Sequence, residues 1–247
     1  MEKIIHSKKT IIALEKANVL FEGPYTTSSG VTIPVCGILE RIYGLPDEYG
    51  AVIEDLKKVV KDLKIDAILG CQMNGIPFAC SVATELKIPF AIVRKEISNH
   101  GVRSHISGNI PNDARNIALL DDWNGSWKTL EYYLDIVKQY GIIPKNIISV
   151  VDSFEDYSTA ERRERILSEN NINFVALCSF RDIANEFCKQ NKISKEVLDL
   201  ILDFVKDPAV YVDDDRRMKK FIKLKMSGNA FLGEDPKTNL EKKFKIS

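Results

Sequence analysis

No apolar run in this sequence approaches the roughly 18 residues that a membrane-crossing helix needs. The opening Met1-Glu2-Lys3 leads into a mixed polar segment and not into the apolar core of a secretory signal, so no leader is expected. Charge of one sign is not in excess: Lys and Arg total 35, and so do Asp and Glu. A chain without a net basic footprint is not expected to bind nucleic acid or a membrane surface in general. Histidine is scarce, at three residues. The five cysteines, Cys36, Cys71, Cys80, Cys178 and Cys188, are odd in number and include no Cys-x-x-Cys pair. That spacing excludes the usual zinc sites and a disulfide framework. The expectation is reduced, mostly buried thiols in a cytoplasmic protein. Internal repeats and low-complexity segments are also absent.

What is present is enough apolar material to bury a core, 45% of 247 residues. Short apolar runs fall at 67–69, 90–93, 117–120, 147–151 and 174–177. Each is apolar on both pleat faces, as in strands covered by helices on two sides. Between them apolar residues recur at helical spacing, as in Leu56, Val59, Val60 and Leu63, or Trp127, Leu130, Leu134 and Val137. This alternation predicts an α/β fold with a doubly wound, mostly parallel sheet. The segment 99–111 carries Gly101, Gly108 and Pro111 without helical periodicity and reads as a long loop. After Ile193 the character changes. Ser194 can cap a helix over 195–205 that is apolar nearly all round, hence buried within the fold or in a subunit contact. Residues 213–217, Asp-Asp-Asp-Arg-Arg, read as a solvated turn and helix start. Residues 233–247 are polar and read as a frayed tail.

In a doubly wound sheet, ligands bind beyond the carboxyl ends of the strands. Three strand ends therefore matter. The run at 116–120 ends in Asp121-Asp122, followed by Asn124, Gly125, Ser126, Lys128 and Thr129. Two carboxylates there can accept the hydroxyl protons of a ribose diol or share a Mg²⁺ ion, and helix N–H groups can face a phosphate. Alone, Asp122 or Asn124 reads equally as a helix cap. Arg94-Lys95 closes another strand and is followed by His100, a pattern suited to a polyanion. Alone it reads as a charged turn. Gly70 and Gly75 bracket a turn with Asn74, where backbone amides can cradle an anion; a tight turn explains it as well.

In this order and spacing, the segments resemble a type I phosphoribosyltransferase, and within that family orotate phosphoribosyltransferase. Residues 13–30 resemble its opening helix and substrate hairpin, and 75–79 its diphosphate loop. Arg94-Lys95-Glu96 with His100-Gly101 resembles its catalytic-loop signature. Residues 106–108 and 119–122 resemble the return of the lid and the ribose-binding acid pair, and 150–152 with 161–167 its next strand and helix. The resemblance covers roughly residues 10–183. It implies the type I phosphoribosyltransferase fold with an N-terminal hairpin or hood, and does not account for the helical stretch from about Ile193. Together with the sequence pattern, the expected organisation is a phosphoribosyltransferase-like domain over 1–190, a C-terminal helical extension over 191–232 and a flexible tail over 233–247. It also implies transfer of phosphoribosyl from 5-phosphoribosyl 1-diphosphate, with Mg²⁺, to a nitrogen base, and pyrimidine nucleotide biosynthesis if that base is orotate. Asn74, Gly75, Arg94, Lys95, His100, Asp121, Asp122, Asn124, Gly125, Ser126, Lys128 and Thr129 are the implied phosphoribosyl and diphosphate contacts. Arg94, Lys95, His100, Asp121 and Asp122 carry the chemistry, with Asp121 and Asp122 as the metal candidates. Ser28, Cys36 and Ser153 fall at base-binding positions. A homodimer is implied as well.

The sequence departs from the family pattern at specific places. Ser98 stands where the catalytic loop has a lysine, with Arg103 and His105 further along. Ser28 replaces a lysine and Ser153 an arginine. Cys36 and Gly37 fall where aromatics flank the base. Trp123 and Trp127 flank the phosphate turn. Two functions follow as expectations: a working phosphoribosyltransferase, or a protein of the same fold that binds or senses a phosphoribosyl compound or nucleotide without turnover.

Overall fold

The computed structural model describes residues 2–26, 32–97, 104–153, 157–208 and 219. In chain order the elements are β1 (Glu2–Ile4), α1 (Lys8–Lys16), β2 (Leu20–Thr26), β3 (Thr32–Gly37), a 3-10 helix (Leu39–Gly44), α2 (Pro46–Asp62) and β4 (Ala67–Cys71). They continue with α3 (Gly75–Leu86), β5 (Phe90–Val93), β6 (Ile106–Gly108), β7 (Ile117–Asn124), α4 (Lys128–Gln139) and β8 (Asn146–Asp152). The last are α5 (Tyr157–Asn170), β9 (Asn173–Ser179), α6 (Phe180–Lys189) and α7 (Lys195–Lys206). Seven strands form one sheet in the order β1-β9-β8-β7-β4-β5-β6, while β2 and β3 form a separate hairpin. Every neighbouring pair in the large sheet is parallel except β5 with β6.

Period-two alternation sends each central strand's side chains into two cores. On one face Ile68, Ala118, Leu120, Ile148 and Val150 pack under α1, α2, α3, α6 and α7. On the other, Leu69, Ile117, Leu119 and Ile147 pack with Trp127, Leu130, Tyr133, Leu134 and Val137 of α4 and its cap, and with Ile166 of α5. Strands buried on both faces explain the unbroken apolar runs.

Two strands of the large sheet lie outside the five apolar runs. β1 adds a parallel edge beside β9, and β6 adds an antiparallel edge beside β5. Both are three residues long, too short for an alternation to stand out. The strand expected to stop at Leu120 continues through the acid pair to Asn124. β8 continues alongside it and pairs Asn124 with Asp152. β4 offers no partner past Leu120, its last pairing being Gly70 with Leu120. Over its final four residues β7 is thus paired with β8 alone among the described strands.

Ser194 caps α7 by accepting the Val197 N–H at 3.2 Å. Val197, Leu200, Ile201, Phe204 and Val205 are buried in the first core, whereas Leu198 packs against it half-buried. Of the two alternatives for this helix, burial within the fold is the one observed. Residues 213–217 and 233–247 lie outside the described residues.

Candidate active site

The chain passes from β4 to its neighbour β5 and later returns to place β7 on the other side of β4. The loops after β4 and β7 diverge at this switch point and open a cleft of about 190 Å³. Gln72, Met73 and Asn74 line it after β4, Lys95 after β5, 121–124 at the end of β7, and 125–127 with Thr129 just beyond it.

Asp121 and Asp122 lie within the cleft, each only 8% exposed. The backbone N–H of Asp122 donates to Asp121 Oδ1 at 3.0 Å. Burial, then the charge of Asp122, pushes the Asp121 carboxyl well above its ordinary value. Burial also raises Asp122, and Glu40 adds to the rise. Two buried carboxylates this close favour sharing one proton until a hydroxyl or a cation relieves them.

Gly75 makes the site compact. A Cβ there would lie 2.5 Å from the Leu120 carbonyl oxygen and 3.2 Å from Asp121 Oδ1. Glycine lets the first turn of α3 sit directly on the acid pair. Neither Asn74, before α3, nor Trp127, before α4, makes a side-chain cap. Two helix N-termini with N–H groups not taken by side-chain caps therefore flank the cleft, the arrangement that binds phosphates.

The loop after β4 is braced from several sides. The Gln72–Met73 peptide is cis. Gln72 accepts the Lys95 N–H at 3.3 Å, and the Tyr133 hydroxyl donates to its carbonyl oxygen. Asn74 donates its amide to Glu40 at 2.8 Å, and the Tyr43 hydroxyl donates to the Asn74 carbonyl oxygen at 3.3 Å. The turn after β7 is held from α5, where Arg162 donates to the Ser126 carbonyl oxygen at 3.0 Å. Arg163 pairs with Asp152 at 2.8 Å. Burial pushes the Asp152 carboxyl up to about 6, against the pull of Arg163 and of the Trp127 indole.

The tryptophans take different roles. Trp127, in the left-handed region at φ 63°, is 1% exposed and packs edge-on against Phe174 at 4.7 Å between ring centroids. Trp123 lines the cleft. Its indole lies against Gly37, meets Phe180 edge-on at 5.4 Å and donates its N–H to Ser153 Oγ. A side chain at position 37 would occupy the ring's space, so the departures Gly37, Trp123 and Ser153 form one packed unit.

The structure thus brings together Asn74, Lys95, Asp121, Asp122, Asn124, Gly125, Ser126 and Thr129 around the cleft, with Gly75 behind the acid pair. Arg94 and Lys128 are not among the cleft-lining residues. Arg94 has its backbone tied to His105, its N–H to the His105 carbonyl oxygen at 2.8 Å and its own carbonyl to Nδ1 at 3.0 Å. Lys128 opens α4 from an exposed position. Cys36 is half-buried behind Trp123's neighbour Gly37, its thiol pushed up by burial and then by Glu40. Ser28, Ser98, His100 and Arg103 lie outside the described residues. Among the described residues no group of three or more His, Cys, Asp and Glu side chains is placed to hold a metal.

Several contributors carried no signal in the sequence. Glu40, Tyr43 and Arg162 reach the site from elements distant in the chain, and nothing in their local patterns marks them. Gln72 and Met73 did stand inside the strand-end rule, between the two glycines.

Three comparisons bear on this geometry. A model of the phosphoribosyl transferase domain matches residues 39–179. An orotate phosphoribosyltransferase of Methanosarcina mazei is 24% identical over 176 residues, covering 71% of this chain and 90% of its own. Among solved structures, UMP synthase of Leishmania donovani superposes with a TM-score of 0.69 at 20% identity; the match covers 81% of this chain and 43% of that one. Orotate phosphoribosyltransferase from Aeropyrum pernix superposes at 0.57 and 18% identity, covering 72% and 98%. The structural likenesses show the fold.

Proposed function

The chain belongs to the phosphoribosyltransferase domain family, and from its cleft we propose that it transfers phosphoribosyl from 5-phosphoribosyl 1-diphosphate to a nitrogen base. The observation that carries the reading is the buried Asp121-Asp122 pair set between two helix N-termini without side-chain caps. The pair accepts the two ribose hydroxyls. The 73–75 turn and Lys95 take the diphosphate, and the 125–129 turn takes the 5-phosphate. A base nitrogen attacks C1′ as the bond to the diphosphate oxygen breaks, and positive charge develops on the ribose. The two carboxylates lie where that charge forms, so the protein's contribution is positioning and charge stabilisation. Lys95, the cation among the cleft-lining residues, faces the leaving group.

The pair also suits Mg²⁺, because burial and mutual repulsion make the two carboxyls hold a proton above their ordinary range, and a cation would take that proton's place as counter-charge. Asp121 and Asp122 would hold the ion together with the ligand's own phosphate oxygens. When bound, the ion would supply neutralisation of the diphosphate charge. A homodimer and a cytoplasmic setting belong to the same reading; the five cysteines, all free thiols, suit a reducing compartment.

One observation favours a second reading, binding without turnover: the Trp123 indole wedges between Gly37 and Ser153 at the hood. The test is to mix the protein with 5-phosphoribosyl 1-diphosphate, Mg²⁺ and a panel of bases and to follow diphosphate release, with binding titrated in parallel. Release with any base supports transfer. Binding without release supports the second reading. Unchanged affinity in the double variant Asp121→Asn, Asp122→Asn sinks the ribose role of the pair.

A further inference from the structure

We infer that the base accepted here is neutral and bears an amino group, stacked on Trp123 and donating to Glu40, and is not a carboxylate-bearing base. This rests on the phosphoribosyl reading above. With the diol at Asp121-Asp122, the base leaves C1′ away from the diphosphate at the 73–75 turn and Lys95. Lys95 lies on the β5 side. On the other side Trp123 lines the cleft, packed toward Ser153 after β8 and Phe180 after β9. That indole is held on three sides, by Gly37, by Phe180 and by its hydrogen bond to Ser153. A fixed aromatic face at a cleft wall stacks planar bases of any identity, so selectivity must come from the polar groups around it.

Those groups are anionic. Glu40 is exposed at the rim and bonded at 2.8 Å to Asn74, which lines the cleft. Its field raises the acids and phenols around it: Asp122, Tyr43 and Cys36 all feel it. Glu40 thus sits where the hood, the acid pair and the Asn74 loop meet. The neighbouring cation, Arg41, is turned away: its guanidinium donates to the Asn18 carbonyl oxygen at 3.0 Å and covers the Phe21 ring at 4.3 Å. With Lys95 given to the diphosphate, a carboxylate on the base would meet the negative charge of Glu40 and Asp122, whereas an amino group would find an acceptor.

The test uses the full chain and nucleoside 5′-monophosphates as probes, so that it reads base selectivity without requiring turnover. Cytidine and adenosine monophosphates, with amino groups, are titrated against orotidine monophosphate, with 5-phosphoribosyl 1-diphosphate as a separate arm. The expected result is that the amino-bearing nucleotides bind roughly tenfold or more tightly than orotidine monophosphate. Glu40→Lys should reverse or erase that ratio. Glu40→Gln should shrink it in the same direction and covers the case in which the lysine variant does not fold. Equal or tighter binding of orotidine monophosphate overturns the inference, as does a ratio that neither variant changes. Binding of 5-phosphoribosyl 1-diphosphate with no nucleotide binding overturns the inference and leaves the phosphoribosyl reading standing. Loss of every arm overturns both.

Discussion

Replacing Gly75 with alanine tests the contact between α3 and the acid pair. The added Cβ would stand 2.5 Å from the Leu120 carbonyl oxygen and 3.0 Å from the Asp121 Cα, both backbone atoms of a central strand. Such atoms cannot swing aside as a side-chain tip can, so the first turn of α3 must lift away from β7. Overpacking of this kind costs about 1–3 kcal/mol. Alanine's gain in helix propensity is small at the first helical residue and does not offset it. For a domain of this size the cost corresponds to a fall in Tm of roughly 2–12 °C. The lifted turn also moves the amides at 74–76 relative to Asp121 and Asp122. Affinity for 5-phosphoribosyl 1-diphosphate, measured well below the transition, should therefore fall as well. Gly50, inside α2 with open space around its Cβ position, is the control. Gly50→Ala should leave binding intact and stabilise by up to about 1 kcal/mol. A Gly75→Ala protein that melts and binds like the wild type would refute the close-approach argument.

Three further outcomes are expected. Asp152 has its folded-state carboxyl raised to about 6, so between about pH 4 and 6 the folded state binds more protons than the unfolded chain, and this group's contribution to stability is lost as pH rises. Urea midpoints followed from pH 4 to 7 should show that fall in the wild type and a flatter profile in Asp152→Asn; equal slopes would count against the shift. Arg162→Ala removes the hydrogen bond to the Ser126 carbonyl oxygen and should weaken phosphate-ligand binding while costing only about 1 kcal/mol of stability, so a binding titration alongside a melting curve separates the two effects. Phe204, 1% exposed in α7, should cost about 3–5 kcal/mol when cut to alanine; a loss under about 1 kcal/mol by denaturant unfolding would show that α7 is not part of the core.

The parallel sheet was legible because strands buried on both faces must be apolar throughout, and helices over them must show one apolar stripe. The runs at 67–69, 117–120 and 147–151 all lie inside observed strands. The edge strands β1 and β6 were not, since three residues carry no readable period. The extension of β7 to Asn124 was not either: polar residues in a strand look like a loop until a partner such as β8 is known to run beside them.

The same division holds at the site. Local sequence determined the order of strand, acid pair and helix, the paired cations after β5 and the glycine turn after β4, because each is a property of consecutive residues. Only the tertiary structure decided how deeply Asp121 and Asp122 are buried and that Gly75 must be a glycine for their sake. It also decided that one tryptophan is core while the other is a wall of the cleft. Glu40, Tyr43 and Arg162 enter the site by packing of distant elements, and burial, close approach and electrostatic field depend on what lies across space and not on what comes next in the chain.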